Sequence, residues 1–108
     1  YASRGLGDVY KRQKDTRTLY GAEAKYLSAQ LMYNAGEYAA AEKEILNFID
    51  QSTPHAYWLA RSFILLSDVY VAMDKKLDAR QYLLSLQQNY HADDDIERMI
   101  QERLEKLK

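Results

Sequence analysis

The chain has 108 residues, enough for a single domain with a small core. Its 47% hydrophobic and 29% charged residues belong to a folded globular protein rather than a disordered one. The net charge of −1 is evenly spread and leaves no face built to neutralise phosphates, which argues against nucleic acid as a partner, and the absence of cysteine removes disulfides, thiolate catalysis and Cys-based zinc sites.

Residues 1–15 carry Gly5, Gly7 and the basic cluster Lys11, Arg12 and Lys14 without sustained apolar periodicity, and are expected to form a poorly ordered leader or a non-native tail. Tyr1-Ala2-Ser3-Arg4 lacks the apolar run of a signal peptide, so the compartment, cytoplasmic or bacterial periplasmic, stays open. From about Thr18 the pattern turns helical. Leu19, Ala22, Tyr26, Ala29 and Met32/Tyr33 recur at steps of three and four and predict one apolar face. Asn34-Ala35-Gly36 ends that helix, with Gly36 free to take the left-handed conformation. A second helix opens at Glu37 and Tyr38, shares Ala41, Ile45, Phe48 and Ile49 on one face, and ends near Gln51.

Ser52-Thr53-Pro54 reads as a helix start, with Thr53 as N-cap and Pro54 as first helical residue. The third helix carries Trp58, Leu59, Phe63, Leu66, Tyr70 and Met73 and breaks at Asp74-Lys75-Lys76. A fourth follows with Ala79, Tyr82, Leu83 and Leu86. After Asn89-Tyr90-His91-Ala92, the run Asp93-Asp94-Asp95 leads a last helix over about 94–107, striped by Ile96, Met99/Ile100, Arg103/Leu104 and Leu107. The apolar stretches fall short of the roughly 20 residues needed to span a bilayer, which argues against membrane insertion. The predicted fold class is all-α.

The helix pairs repeat. Met32, Gly36, Ala41, Ile45 and Phe48 align with Tyr70, Asp74, Ala79, Leu83 and Leu86 at an offset of 38 residues. Phe63, Leu66, Ser67, Tyr70, Ala79 and Leu83 in the second unit, with Ala29, Gly36, Tyr38 and Ala41 in the first, resemble the tetratricopeptide repeat (TPR) family. Ser28 and Lys25 depart from that pattern at a leucine and a large aromatic site. The period is a few residues longer than the typical repeat and resembles variants in bacterial cell-envelope assembly and division proteins. Leu6-Gly7-Asp8-Val9-Tyr10 echoes Leu66-Ser67-Asp68-Val69-Tyr70, but Gly7 stands only 22 residues before Ala29, too close for a complete unit, and is read as coincidence.

The resemblance implies a TPR-like α-solenoid: repeat 1 over about 18–51, repeat 2 over about 54–89 and a capping helix, together forming a domain over 16–108. It further implies a concave groove that binds a protein or peptide. By that resemblance the groove is lined by Glu23, Tyr26, Gln30, Tyr33 and Asn34 in the first unit and by Arg61, Ile64, Asp68, Val71 and Ala72 in the second. Tyr26, Gln30 and Tyr33 do share a helical face and suit peptide recognition, though Tyr26 and Tyr33 could equally pack against a neighbouring helix. Chaperone-tail-binding relatives use a Lys/Arg/Asn clamp, but the corresponding sites here hold Tyr26, Gln30, Ile64 and Asp68, so a chaperone-adaptor role is not expected.

Catalysis is not specified. His55 and His91 lie beside helix starts without further metal-ligand spacing, and Asp93-Asp94-Asp95 lacks the alternation of a calcium loop. Gly5-x-Gly7 is neither a dinucleotide nor a phosphate loop, and no cofactor is expected. Two units make a short array, so the chain is expected either to be part of a longer array or to form a homo-oligomer through an uncovered face of the first helix, Leu19 to Tyr33. The expected function is a non-catalytic interaction scaffold. The alternatives are a structural self-association module and an accessory domain of a larger protein.

Overall fold

The computed structural model describes residues 19–108, so the leader and the Leu6–Tyr10 motif lie outside the described residues. Five helices and no strand make up the described residues: α1 (Leu19–Asn34), α2 (Tyr38–Asp50), α3 (Ala56–Ala72), α4 (Lys76–Asn89) and α5 (Ile96–Lys106). The all-α expectation holds there, and the boundaries differ from it at two helix starts.

The first difference follows Pro54. Thr53 does not cap a helix at Pro54; its Oγ1 accepts the His55 N–H at 3.2 Å, and α3 begins only at Ala56. A hydroxyl that bonds the backbone two residues ahead builds a local turn instead of a first helical turn. At the other late start, Asp94 Oδ1 accepts the N–H of Ile96 in a turn of the same kind, and the N-cap residue Asp95 makes no side-chain capping bond, so the acidic run does not cap α5 as expected.

Both helix-pair turns share one construction. Gly36 takes φ +79°, with Glu37 N–H bonded to Met32 O at 2.9 Å and Gly36 N–H to Tyr33 O at 3.0 Å. Asp74, its counterpart in the repeat register, takes φ +61°, with Lys75 N–H on Tyr70 O at 2.7 Å and Asp74 N–H on Val71 O at 3.1 Å. Each pair of bonds closes orphaned helix carbonyls through one left-handed residue. Gly36→Ala is therefore expected to lose about 1 kcal/mol from backbone strain alone, since nothing lies within 4 Å of the added methyl. Asp74→Gly should gain about 0.5–1 kcal/mol by relieving the same strain in a side-chain-bearing residue. Urea midpoints of the two variants would measure both.

The central helix is α3, which runs against α1, α2, α4 and α5, whereas neither the α1 nor the α2 backbone runs alongside α4 or α5. Ile64, Leu65, Leu66 and Ser67 are buried in succession because α3 has neighbours on every side. One core lies among α1, α2 and α3 around Tyr26, Ile45, Leu65, Leu66 and Tyr70, and takes in Ala79 of α4. The other lies among α3, α4 and α5 around Ile64, Leu83, Leu86, Ile96 and Ile100. Ala22, Ala29, Ala41, Ala60 and Ala79 are essentially inaccessible, and methyl side chains there let the helix axes approach.

The 38-residue register extends to contacts between helices. In the second pair, Phe63 of α3 meets Tyr82 of α4 with ring centroids 5.9 Å apart. At the equivalent place in the first pair, Lys25 of α1 is ion-paired with Glu44 of α2, side chains only 13% and 16% exposed. Ser28 adds a 3.4 Å hydrogen bond to Glu44. The departure of Lys25 from an aromatic residue thus has a compensating partner. Lys25→Ala should cost about 2 kcal/mol by leaving Glu44 without its counter-charge, while Lys25→Phe combined with Glu44→Tyr rebuilds the ring pair and should recover most of that. Thermal melts of the single and double variants would show it.

Candidate functional site

The residues named for a groove divide into two groups in the structure. The first surrounds Arg61, on the second turn of α3. Its Nη2 donates to the Tyr26 hydroxyl of α1 at 3.0 Å, and its Nη1 donates to the Tyr57 hydroxyl at 3.0 Å. The guanidinium carbon lies 5.1 Å from the Tyr26 ring centroid and 5.8 Å from that of Tyr57, within cation–π range. Tyr57 passes its own proton toward Asp95 Oδ1 at 3.0 Å, and Tyr26 donates to Gln30 Oε1 at 3.1 Å. Gln30 Nε2 in turn donates to Asn34 Oδ1 at 3.0 Å. This relay ties α1, α3 and the start of α5 together. Burial alone lowers the Arg61 pKa, but the two phenols outweigh it and hold the group above its ordinary value.

Tyr26 is accordingly not a groove surface. It is 6% exposed, its ring 5.4 Å from that of Trp58, and its hydroxyl is engaged on both sides. Ile64 is 1% exposed and belongs to the core against α4 and α5. Both corrections have one cause: α3 is enclosed on more sides than a groove-lining helix would be, and α1 leans its Tyr26 face onto it. Glu23 and Gln30 are half-buried, and Asn34 is exposed at the end of α1.

The second group surrounds an open cleft of about 610 Å³ where α1, α3, α4 and α5 converge. Tyr33, Asp68, Val71 and Ala72, all expected at a binding surface, line it. Its charged rim is Lys76, Glu102, Arg103 and Lys106. Asp68 accepts two hydrogen bonds from Arg103 of α5, Nε to Oδ1 and Nη2 to Oδ2, each at 3.1 Å. This side-on pair closes the α3–α5 contact beneath the cleft. Tyr33 at the lip has its pKa raised, first by burial and then by the nearby Asp68 charge, so its hydroxyl keeps its proton at neutral pH. Sequence reasoning missed Tyr57, Asp95, Lys76, Arg103 and Lys106. Arg103 stands 35 residues from Asp68, and no local spacing announces that pairing.

No family model, curated protein or solved structure matches the chain. The chemistry of the site therefore rests on its own residues. Among the described residues no group of three or more His, Cys, Asp or Glu is placed to hold a metal ion, and no helix is long and apolar enough to cross a membrane.

A smaller pocket of about 510 Å³ lies between the end of α4 and the start of α5, lined in part by Tyr90, His91, Asp93 and Glu97. Beside it the Tyr90 hydroxyl donates to Asp94 Oδ2 at 2.5 Å. Burial, and then this bond, push the Tyr90 pKa up to about 12. The folded state keeps a proton that the unfolded chain releases near pH 10, so the contribution is complete below about pH 10 and is lost as pH climbs toward 12. Tyr33 and Tyr70 are shifted in the same direction. The melting midpoint is expected to drop across that alkaline window, with a smaller drop in Tyr90→Phe, by circular dichroism.

Proposed function

We propose that the chain is a TPR-like interaction scaffold that binds a protein or peptide partner and performs no chemistry of its own. The reading is supported by the 38-residue register, which recurs in paired turns and in equivalent inter-helix contacts, and by the stacking of each helix pair on the next. The observation that carries the binding role is the cleft at the C-terminal ends of α1 and α3. There the exposed Val71 and Ala72 offer an apolar floor beside Tyr33, under a rim that includes Lys76 and Lys106. An apolar floor with a polar rim is the ordinary composition of a protein-recognition surface.

Affinity capture from the source cells, comparing the intact chain with Val71→Arg, tests the reading. A partner held by the intact chain and lost from a variant with unchanged helicity is the expected result. A photoreactive residue at Ala72 should then cross-link to that same partner. Partners retained equally by both forms would count against the cleft.

A further inference from the structure

The α1 face through Ala22, Tyr26 and Ala29, expected to stand uncovered, is enclosed by α2 and α3. The cleft floored by Val71 and Ala72 is open, and its charges are unequally satisfied. Asp68 and Arg103 are forked onto each other, so each already holds its counter-charge. Glu102 is answered by Arg98 of the same helix at 3.7 Å. Lys76 of α4 and Lys106 of α5 are exposed and enter no ion pair among the described residues. Two ammonium groups on the rim are left without a counter-ion there.

Helix stability does not account for Lys76. Its neighbour Lys75 is used by the fold, with its ammonium 5.8 Å from the Tyr70 ring centroid. Lys76 is the first residue of α4, where the positive end of the helix dipole disfavours a cation, and Asp78 of the same turn does not pair with it. Tyr33 at the lip keeps its proton and offers a donor without adding negative charge. Two ammonium groups over an apolar floor match two carboxylates set around one aliphatic side chain. A phosphate chain fits less well: the Arg103 guanidinium, the group suited to fork onto phosphate, is taken by Asp68, and Glu102 stands on the rim. The net charge of −1 gives a nucleic acid no long-range attraction. A free chain end brings one carboxylate for two cations.

We propose that the cleft takes an internal acidic segment of a partner protein, with an aliphatic side chain on Val71 and Ala72 and flanking Asp or Glu carboxylates on Lys76 and Lys106. The proposal rests on the reading of the cleft as a binding surface and adds the chemistry of what it binds. A cleft of about 610 Å³ lies within the roughly 300–1,000 Å³ of pockets that enclose small ligands, so it admits a few side chains of a segment. Exposed ammonium–carboxylate pairs are screened by salt, and binding should weaken as ionic strength rises. The aliphatic anchor is not screened and carries the part of the affinity that salt leaves.

Fluorescence polarisation of the full chain with end-blocked peptides, a leucine flanked on both sides by glutamates, tests it. The glutamate peptide should bind about tenfold more tightly than its glutamine counterpart, the sum of two exposed ion pairs. Lys76→Glu with Lys106→Glu should turn the preference toward a lysine-flanked peptide, with helicity unchanged. Lys76→Glu alone sets a carboxylate where the α4 dipole favours one, so it should fold as well as the wild type and lose part of the preference. A photoreactive leucine in the peptide should cross-link to residues 71–72. Glutamate and glutamine peptides bound equally at that segment would overturn the acidic preference and leave the cleft a binding surface. No binding of the glutamate peptide at millimolar concentration, cross-links landing elsewhere, or tighter binding of single-stranded RNA or of anionic phospholipid vesicles would each overturn the proposal.

Discussion

Tyr26→Ala is expected to destabilise the fold by about 4 kcal/mol, a large part of the roughly 5–15 kcal/mol that holds a domain of this size. Truncating the ring removes its packing against Trp58 and opens a cavity between α1 and α3. It also takes away the hydroxyl on which Arg61 Nη2 rests, in a guanidinium whose Nε is already buried without a hydrogen-bond partner. Tyr26→Phe keeps the ring and loses only the relay from Arg61 to Gln30, which should cost about 1 kcal/mol. Denaturant unfolding separates the two: a Tyr26→Ala midpoint close to wild type would show that the ring is not a core element. The consequence for function is direct. Loss of a partner in Tyr26→Ala would report unfolding, so Val71 and Ala72, exposed on the cleft floor, are the positions that probe binding.

Leu66→Ala should be nearly as damaging, at about 3 kcal/mol and roughly 15 °C in melting temperature. Leu66 is completely inaccessible and sits in the cluster where α1, α2 and α3 meet. Deleting its isobutyl group leaves a void walled by three helices, and a site enclosed on all sides relaxes least. Ser28, the residue in register with it in the first unit, is half-buried, and Ser28→Ala should move the midpoint far less, since only its hydrogen bond to Glu44 is at stake. A thermal melt of the pair by circular dichroism would expose that asymmetry. Equal effects would mean that the two units share the load equally despite their different surroundings.

Several elements were legible because they depend on neighbours within one or two turns. Gly36 announced its left-handed turn, and the apolar steps of Ala41, Ile45 and Phe48 marked the buried face of α2. The match of Asp74 to Gly36 in the 38-residue register pointed to a second turn of the same kind, although aspartate itself does not demand positive φ. The start of α3 was misread because a Thr-Pro pair suits both an N-cap and a separate turn, and only the hydrogen bond from His55 N–H to Thr53 distinguishes them.

The site was harder. Tyr33, Asp68, Val71 and Ala72 do line the cleft, yet Tyr26 and Ile64, one or two turns earlier on the same helices, are sealed. Whether a helical position faces a groove or a core depends on the angle at which the next helix crosses it, and periodicity carries no information about that angle. The exposure of Leu27 and Leu31 was hidden for a related reason: with apolar residues on opposite sides, α1 has no single amphipathic direction.

The sequence by itself determined the five helices described over residues 19–108, the two left-handed turns within the helix pairs and a 38-residue register. Tertiary structure decided that α3 is enclosed by four neighbours, that Arg61 is spent on binding helices together, that Asp68 meets Arg103, and that Val71 and Ala72 stay exposed in a cleft while Tyr26 and Ile64 are sealed. Helix formation is set by residues three and four apart, whereas exposure is set by segments tens of residues away that arrive only when the helices pack.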